Sequence, residues 1–400
     1  MAASSITSPD VNGAPETVPE FSLLRGPIHR LARRLGRGRD EVGRLWLAAA
    51  LVLLTWLPTV LLALAQDNAG AAANLPGVGV HVRFLLALPL LLLADVWTDP
   101  HVASLVRRLV KSGIVRPTAL RALAVTVRRV AGLNQWGLAE ALLFVLALLL
   151  VPLDAVIDLP GEIKGWTTAG VGPEMHLTPA GWWYHAVSLT VFRFLLLRWC
   201  WRTGIWWWFL WRLSRLDLRL VSTHPDRTGG LGYLEIAQGY FATEVFALAA
   251  VFSASFAEEV QFSGVSLDAL VLPVTGTALL FAVILLAPLL VFAPRLLEAK
   301  LRGLREYWEL AERYVSGFDA KWIRGEPRAM EDLLGTPDLQ ALADLGSSLE
   351  VVRGMRVVPF GLSLVSAFAV ASLVPMAPLL LLKFPLADLL TWLVRAIAGI

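Results

Sequence analysis

The chain has 400 residues, of which 56% are hydrophobic and 17% are charged, and its mean hydropathy is +0.64. A soluble domain has about a quarter of its residues charged, so this composition argues against a purely soluble protein. The net charge of +3 is small, and Cys200 is the only cysteine, which excludes an intrachain disulfide and argues against a structural zinc site.

Residues 1–44 contain no signal peptide, because the first apolar run begins only at Leu45, and we expect a basic, disordered segment in the cytoplasm. Seven later apolar runs are long enough to cross ~30 Å of hydrocarbon as helices. They predict an all-α membrane protein, a bundle of about seven transmembrane helices. The predicted spans are about 45–65, 82–97, 136–157, 182–206, 232–257, 268–293 and 359–382.

Arginine and lysine residues lie on alternate sides of these spans, and such residues are enriched in cytoplasmic loops. They precede span one, separate spans two and three, follow span four and fill the segment between spans six and seven. The alternate loops, 66–81, 158–181 and 258–267, contain a single basic residue, Lys164. This bias predicts a cytoplasmic N-terminus.

Residues 102–131 predict two basic amphipathic helices, broken before Pro117, that lie on the inner leaflet. Residues 383–400 predict another interfacial helix, because Asp388, Thr391 and Arg395 share one face of an otherwise apolar segment. The alternation of loops places that helix on the outer surface, and the alternative is a short re-entrant segment.

Two pairs of opposite charges lie inside the predicted spans, where an ionisable side chain costs a few kcal/mol or more and is therefore a functional candidate. Arg193 in span four and Glu244 in span five have similar depth on consecutive antiparallel helices, so we predict that they pair. Arg202 and Glu235 form a secondary candidate pair nearer the cytoplasm. The main pair either fixes the helix register or takes part in proton or ion translocation.

Residues 223–232, with the sequence THPDRTGGLG, form the most distinctive loop. Glycines permit positive φ, and a concave run of N–H groups before a helix can hold a phosphate or a carboxylate. The loop therefore predicts a site for a small anionic ligand at the cytoplasmic face. The alternative is a tight connection in which Asp226 caps the next helix. The candidate residues are His224, Asp226, Arg227, Gly229, Gly230 and Gly232.

Residues 294–358 form a predicted cytoplasmic helical insert between spans six and seven. We expect span six to continue into it as one long helix that ends near Gly317 or Gly325. Apolar residues in this helix alternate in steps of four and three, which is a heptad seam. The seam packs either on another helix of the chain or on a second copy, giving a homo-oligomer. Its residues are Leu297, Leu301, Leu304, Trp308, Ala311, Val315 and Phe318.

Motifs for chemistry are weak in this chain. The six histidines have no ligand spacing and no serine stands in a nucleophile elbow, so we predict no metal ion, no cofactor and no catalytic residue. We expect no nucleic-acid partner. The spacing in the 223–232 loop matches neither a Walker loop nor a dinucleotide fingerprint.

Two groups of motifs carry a family resemblance. They are RLDL at 215–218 followed by THPD at 223–226 and GGLG at 229–232, and DLQALADL at 338–345 followed by EVVRGMR at 350–356. Together they resemble a family of uncharacterised bacterial polytopic membrane proteins, over most of the chain after span one. The resemblance implies a bacterial inner membrane, and it supplies no catalytic residues because that family has no assigned activity.

The predicted function is that of a multi-pass membrane protein with its activity at the cytoplasmic face. A transport or channel-like role that uses the polar span five is preferred. One alternative is a membrane scaffold or sensor that self-associates through residues 294–318. The other is a membrane enzyme that acts through the 223–232 loop. The expected partners are the lipid bilayer, a second copy of the chain and a small anionic ligand.

Overall fold

The computed structural model describes residues 19, 21–22, 41–66, 76–151, 166–169, 176–324 and 337–382. Most of the predicted N-terminal segment and all of residues 383–400 lie outside these ranges. Within them the chain is almost entirely helical. The exception is a short antiparallel hairpin of β1 (Thr168–Ala169) and β2 (His176–Leu177).

Ten helices occur in the described residues. Helix α6 covers residues 179–214 and consists of Pro179–Trp183, a π-helical turn at Tyr184–Leu189, and Thr190–Ser214. A second π-helical turn, Val82–Ala87, lies in α3. The other nine helices are α1 (Glu41–Thr55), α2 (Leu57–Leu64), α3 (Val78–Lys111), α4 (Leu120–Gln135), α5 (Gly137–Leu149), α7 (Tyr233–Ser263), α8 (Leu267–Ile323), α9 (Asp338–Arg353) and α10 (Leu362–Leu382).

Five helical segments are long and apolar enough to cross a membrane. They are Leu45–Leu64, which joins α1 and α2, and the helices α3, α7, α8 and α10. Helix α5 and the segment Pro117–Gln135 before it meet at an angle of 45°, and they add a sixth candidate if the bent pair counts as one span. The chain is therefore a helical bundle with five or six candidate membrane spans among its described residues.

The segment 102–131 breaks before Pro117 as expected, and its apolar faces are covered by protein. Its location on the inner leaflet stays a prediction. Leu109 of α3 and Leu123 of α4 are buried in one core cluster with Trp206 of α6. An amphipathic stripe is equally suited to lipid and to a neighbouring helix, and here the aromatic C-terminal half of α6 supplies that neighbour.

The long helix predicted after span six is present as α8, which continues to Ile323. Helix α9 packs antiparallel on its second half, because the Tyr314 hydroxyl donates to the carbonyl oxygen of Asp338 at 3.0 Å and Gly303 packs near Val352. This contact lies beside the predicted heptad seam and leaves Leu301 54% exposed. Only part of the seam is therefore used within the chain.

Candidate functional site

The loop 223–232 folds around the carboxylate of Asp226. The N–H groups of Thr228 and Gly230 donate to its Oδ1 at 2.8 and 3.1 Å, and the N–H of Gly232 donates to Oδ2 at 2.8 Å. Partial burial alone would raise the pKa of this carboxyl, but these backbone hydrogen bonds outweigh it and lower the pKa below its usual value. Asp226 is therefore ionised at neutral pH.

Backbone geometry explains why this loop needs its glycines. Gly229 and Gly230 have φ of 65° and 100°. A Cβ on Gly230 would lie 2.7 Å from Cδ1 of Ile114. The concave run of N–H groups is present, but Asp226 occupies three of its donors. The geometry thus corresponds to the alternative in which Asp226 caps, and these donors are not open to an external anion.

The three charged or histidine side chains among the candidates of this loop, His224, Asp226 and Arg227, do not all converge. Nδ1 of His224 lies 2.8 Å from Oδ1 of Asp226, and both residues line a cleft at this end of the bundle. Arg227, which has a φ of 56°, is exposed and lies beside Gly354. Only two of the three candidates therefore share a cavity.

This cleft, called the Arg108 cleft below, has a volume of about 630 Å³. It lies between the end of α3, the 223–232 loop, the start of α7 and the segment that links α9 to α10. Its charged and histidine side chains are Arg108, Lys111, Arg356, His224, Asp226 and Glu235. Its apolar and aromatic wall is formed by Leu109, Ile114, Tyr233 and Ile236.

Two of the cations in the Arg108 cleft are not neutralised by any described carboxylate. The guanidinium of Arg108 stacks 4.2 Å above the ring of Tyr233, whose hydroxyl is 3.1 Å from the hydroxyl of Ser104. Lys111 lies one turn further along α3 and is exposed. A guanidinium held on an aromatic ring keeps its N–H donors available at the edge, so Arg108 is preorganised for an anion.

Arg356 joins the cleft to the insert. Its backbone N–H donates to Arg227 O at 2.7 Å, and its Nη2 donates to Asp226 O at 3.2 Å. Its Nη1 lies 3.2 Å from Oε2 of Glu235, whose Oε1 accepts a hydrogen bond from the hydroxyl of Ser363. The partners of Glu235 are thus Arg356 and Ser363 rather than the predicted Arg202.

Comparison with known proteins gives no match to a family model, to a curated protein or to a solved structure. The family resemblance described above therefore stays a prediction.

Inside the bundle, Glu244 is 2% exposed and accepts a hydrogen bond from Thr98 of α3 at 3.4 Å. Arg193 is half-buried on α6, and its pairing with Glu244 stays a prediction. A pair that sequence reasoning missed joins α5 to α6, where Arg198 Nε lies 3.4 Å from Glu140 Oε1 and the two side chains are only 9% and 12% exposed. Arginine and glutamate in neighbouring predicted spans were the available signal.

Gln238, one of the polar residues of span five, is fully buried in a hydrogen-bonded seam. Nε1 of Trp206 donates to its Oε1 at 2.8 Å, and its Nε2 donates to Leu285 O at 2.8 Å. That carbonyl lies in the last α-helical turn before the 3₁₀ turn Ala287–Phe292 in α8, where the α-helical hydrogen-bond pattern is interrupted. In a membrane, neighbouring side chains satisfy such backbone groups, so hydrogen bonding between helices accounts for this polar residue.

Another missed group lies at the opposite end of the bundle. The N–H of Gly79, in the first turn of α3, donates to Oε1 of buried Glu258 at 2.7 Å. A cavity of about 20 Å³, enough for one water molecule, borders this carboxylate together with Arg83 and Tyr184. Among the described residues, no group of three or more His, Cys, Asp or Glu side chains is arranged to hold a metal ion.

Proposed function

We propose that this chain is a seven-span membrane protein of the bacterial inner membrane that binds an anionic ligand in the Arg108 cleft, at its cytoplasmic face. The observation that carries the proposal is an imbalance of available charge in that cleft. Asp226 and Glu235 are engaged by donors of the chain itself, whereas Arg108 and Lys111 have no described carboxylate partner.

Helix α6 supplies the seventh span in this proposal. It covers the whole of the predicted span 182–206, but that span carries three arginines where the other predicted spans carry at most two charged residues. The burial of Arg198 against Glu140 supports a place inside the bundle, because intramembrane charges are tolerated when they are paired and face the interior.

Thermal unfolding of the purified protein in neutral detergent tests the binding proposal. The additives are inorganic phosphate, pyrophosphate and phosphatidylglycerol, each compared with an uncharged additive. A ligand that binds only the folded state raises the midpoint in proportion to its affinity. We expect at least one anion to stabilise the wild type more than Arg108→Gln. The control is Arg128→Gln, since Arg128 is exposed on α4 and does not line the cleft.

Equal shifts in the wild type, in Arg108→Gln and in Arg128→Gln for every anion would overturn the proposal, because the cleft would then contribute nothing beyond general attraction.

Transport is a second candidate, supported by the burial of Glu244 within a membrane helix. Proton-coupled flux through reconstituted vesicles should disappear in Glu244→Gln. It should persist in Glu312→Gln, which changes an exposed residue of α8. Unchanged flux in Glu244→Gln removes this candidate.

A further inference from the structure

We infer that the ligand of the Arg108 cleft is the phosphate-bearing headgroup of an anionic phospholipid, which enters from the inner leaflet past Ile236. The inference rests on the proposed function and names its ligand class. The shared chemistry is that of a phosphate ester, and a soluble phosphate is the other source that the experiment separates.

Depth in the membrane is the first argument. Helix α3 has 34 residues, which corresponds to roughly 50 Å and exceeds the ~30 Å hydrocarbon layer. Its last turn, with Arg108 and Lys111, therefore lies beyond the hydrocarbon. Exposed Trp211 near the end of α6 is typical of the interface. The N–H of Arg219, in the non-helical segment after α6, donates to the carbonyl oxygen of Ile114, which lines the cleft, at 2.7 Å. These positions put the cleft at headgroup level.

The second argument is the two-sided chemistry of the cleft. The two cations without a described carboxylate partner lie on α3, whereas Ile236 lies on the first turn of α7 and is 49% exposed. An apolar side chain exposed at the start of a membrane helix faces lipid, so this side of the mouth opens to the leaflet. Leu109 and Ile114 also line the cleft and extend its apolar wall. A soluble phosphate would use only the basic side, whereas a phospholipid uses both.

The third argument is the arrangement of the donors. Arg108 and Lys111 are three residues apart and so share one face of α3. Arg108 is held by Tyr233, and Tyr233 in turn contacts Ser104. Phosphate oxygens placed between these cations receive charge-assisted hydrogen bonds from a side chain whose orientation is already fixed. The volume of about 630 Å³ is within the usual range of ligand pockets.

The experiment measures lipid retention. Full-length protein is reconstituted in vesicles of phosphatidylcholine with phosphatidylglycerol, extracted into neutral detergent, and analysed by native mass spectrometry. We expect phosphatidylglycerol to be retained over phosphatidylcholine. Arg108→Gln or Lys111→Gln should weaken that preference on the order of fivefold each, the effect of one cation near a membrane surface. Arg128→Gln should leave the preference unchanged.

A second variant tests lateral entry. Ile236→Ser should reduce phosphatidylglycerol retention but leave stabilisation by pyrophosphate unchanged, and the matched lipid-facing control is Leu272→Ser, at an exposed position of α8. If pyrophosphate stabilises the wild type more than Arg108→Gln while phosphatidylglycerol retention is equal in both, the ligand is soluble. The lipid inference then fails and the proposed function stands. If neither probe distinguishes Arg108→Gln from Arg128→Gln, both fail.

Discussion

The Arg108 cleft and the buried contacts among α5, α6, α7 and α8, called the buried seam below, contain similar kinds of polar residue. They differ in whether those residues are paired within the chain. In the seam, Gln238 has a partner on each side and Arg198 lies against Glu140. In the cleft, the carboxylates are engaged while Arg108 and Lys111 have no described carboxylate partner. The polar groups of the buried seam are paired within the chain, whereas two cations of the solvent-accessible cleft are left without a described carboxylate.

The largest effect should come from breaking the buried pair in the seam. Glu140→Ala removes the carboxylate beside the Arg198 guanidinium. Breaking a buried ion pair in this way typically costs about 3–5 kcal/mol of folding free energy. Denaturant unfolding in detergent measures it, together with a double-mutant cycle with Arg198→Leu. The exposed Glu298–Arg302 pair of α8 is the control, with an expected coupling of about 0.3–0.5 kcal/mol. Similar coupling energies for the two pairs would contradict the distinction between seam and surface.

A loss of comparable size is expected at Gln238. Gln238→Ala leaves the Trp206 indole N–H and Leu285 O without their side-chain partner, at about 1–3 kcal/mol each for groups cut off from water. Gln340→Ala, at an exposed position of α9, is the matched control. A thermal midpoint that falls equally little in both variants would show that water reaches the seam.

In the cleft, Asp226→Asn should cost about 1–3 kcal/mol at neutral pH, because charge-assisted hydrogen bonds from three N–H groups are weakened. The folded pKa of Asp226 is lowered, so its stabilisation is fully present above the unfolded pKa of about 3.9. It is lost as the pH falls below that value toward the folded pKa. The difference in unfolding free energy between wild type and Asp226→Asn should therefore shrink on acidification. A constant difference would contradict the assigned cause.

The smallest effect on folding is expected at the exposed part of the heptad seam. Leu301→Asp should change stability by no more than about 0.5 kcal/mol, because the side chain is already largely exposed. If a second copy covers this seam, the same change should dissociate the oligomer, as measured by light scattering in detergent. Glu306→Asp, on the same helix, is the control. A protein that is monomeric in both forms removes the self-association proposal.

Sequence reasoning succeeded where the local sequence of one segment determines its structure. The continuation of span six into α8 follows from an uninterrupted helical periodicity, and the break before Pro117 follows from the restricted backbone that precedes a proline. A membrane-spanning helical bundle follows from composition and the length of the apolar runs.

Sequence reasoning fell short where the partner of a residue is distant in the chain. Glu235 is 121 residues from Arg356, so depth matching in adjacent helices favoured Arg202 instead. The amphipathic pattern of residues 102–131 does not distinguish a lipid surface from α6. The glycine-rich loop predicted a concave run of N–H groups, but its sequence could not decide between an external anion and Asp226 as the acceptor.

The contacts of Arg356 have a consequence for how the protein is made. Its hydrogen bonds reach back 130 residues to Asp226 and 121 residues to Glu235. During synthesis, the 223–232 loop therefore emerges long before Arg356, which donates hydrogen bonds to its carbonyl oxygens. Until α8, α9 and Arg356 itself have been translated, the nascent chain holds Glu235 without its cation, so this corner of the molecule closes late.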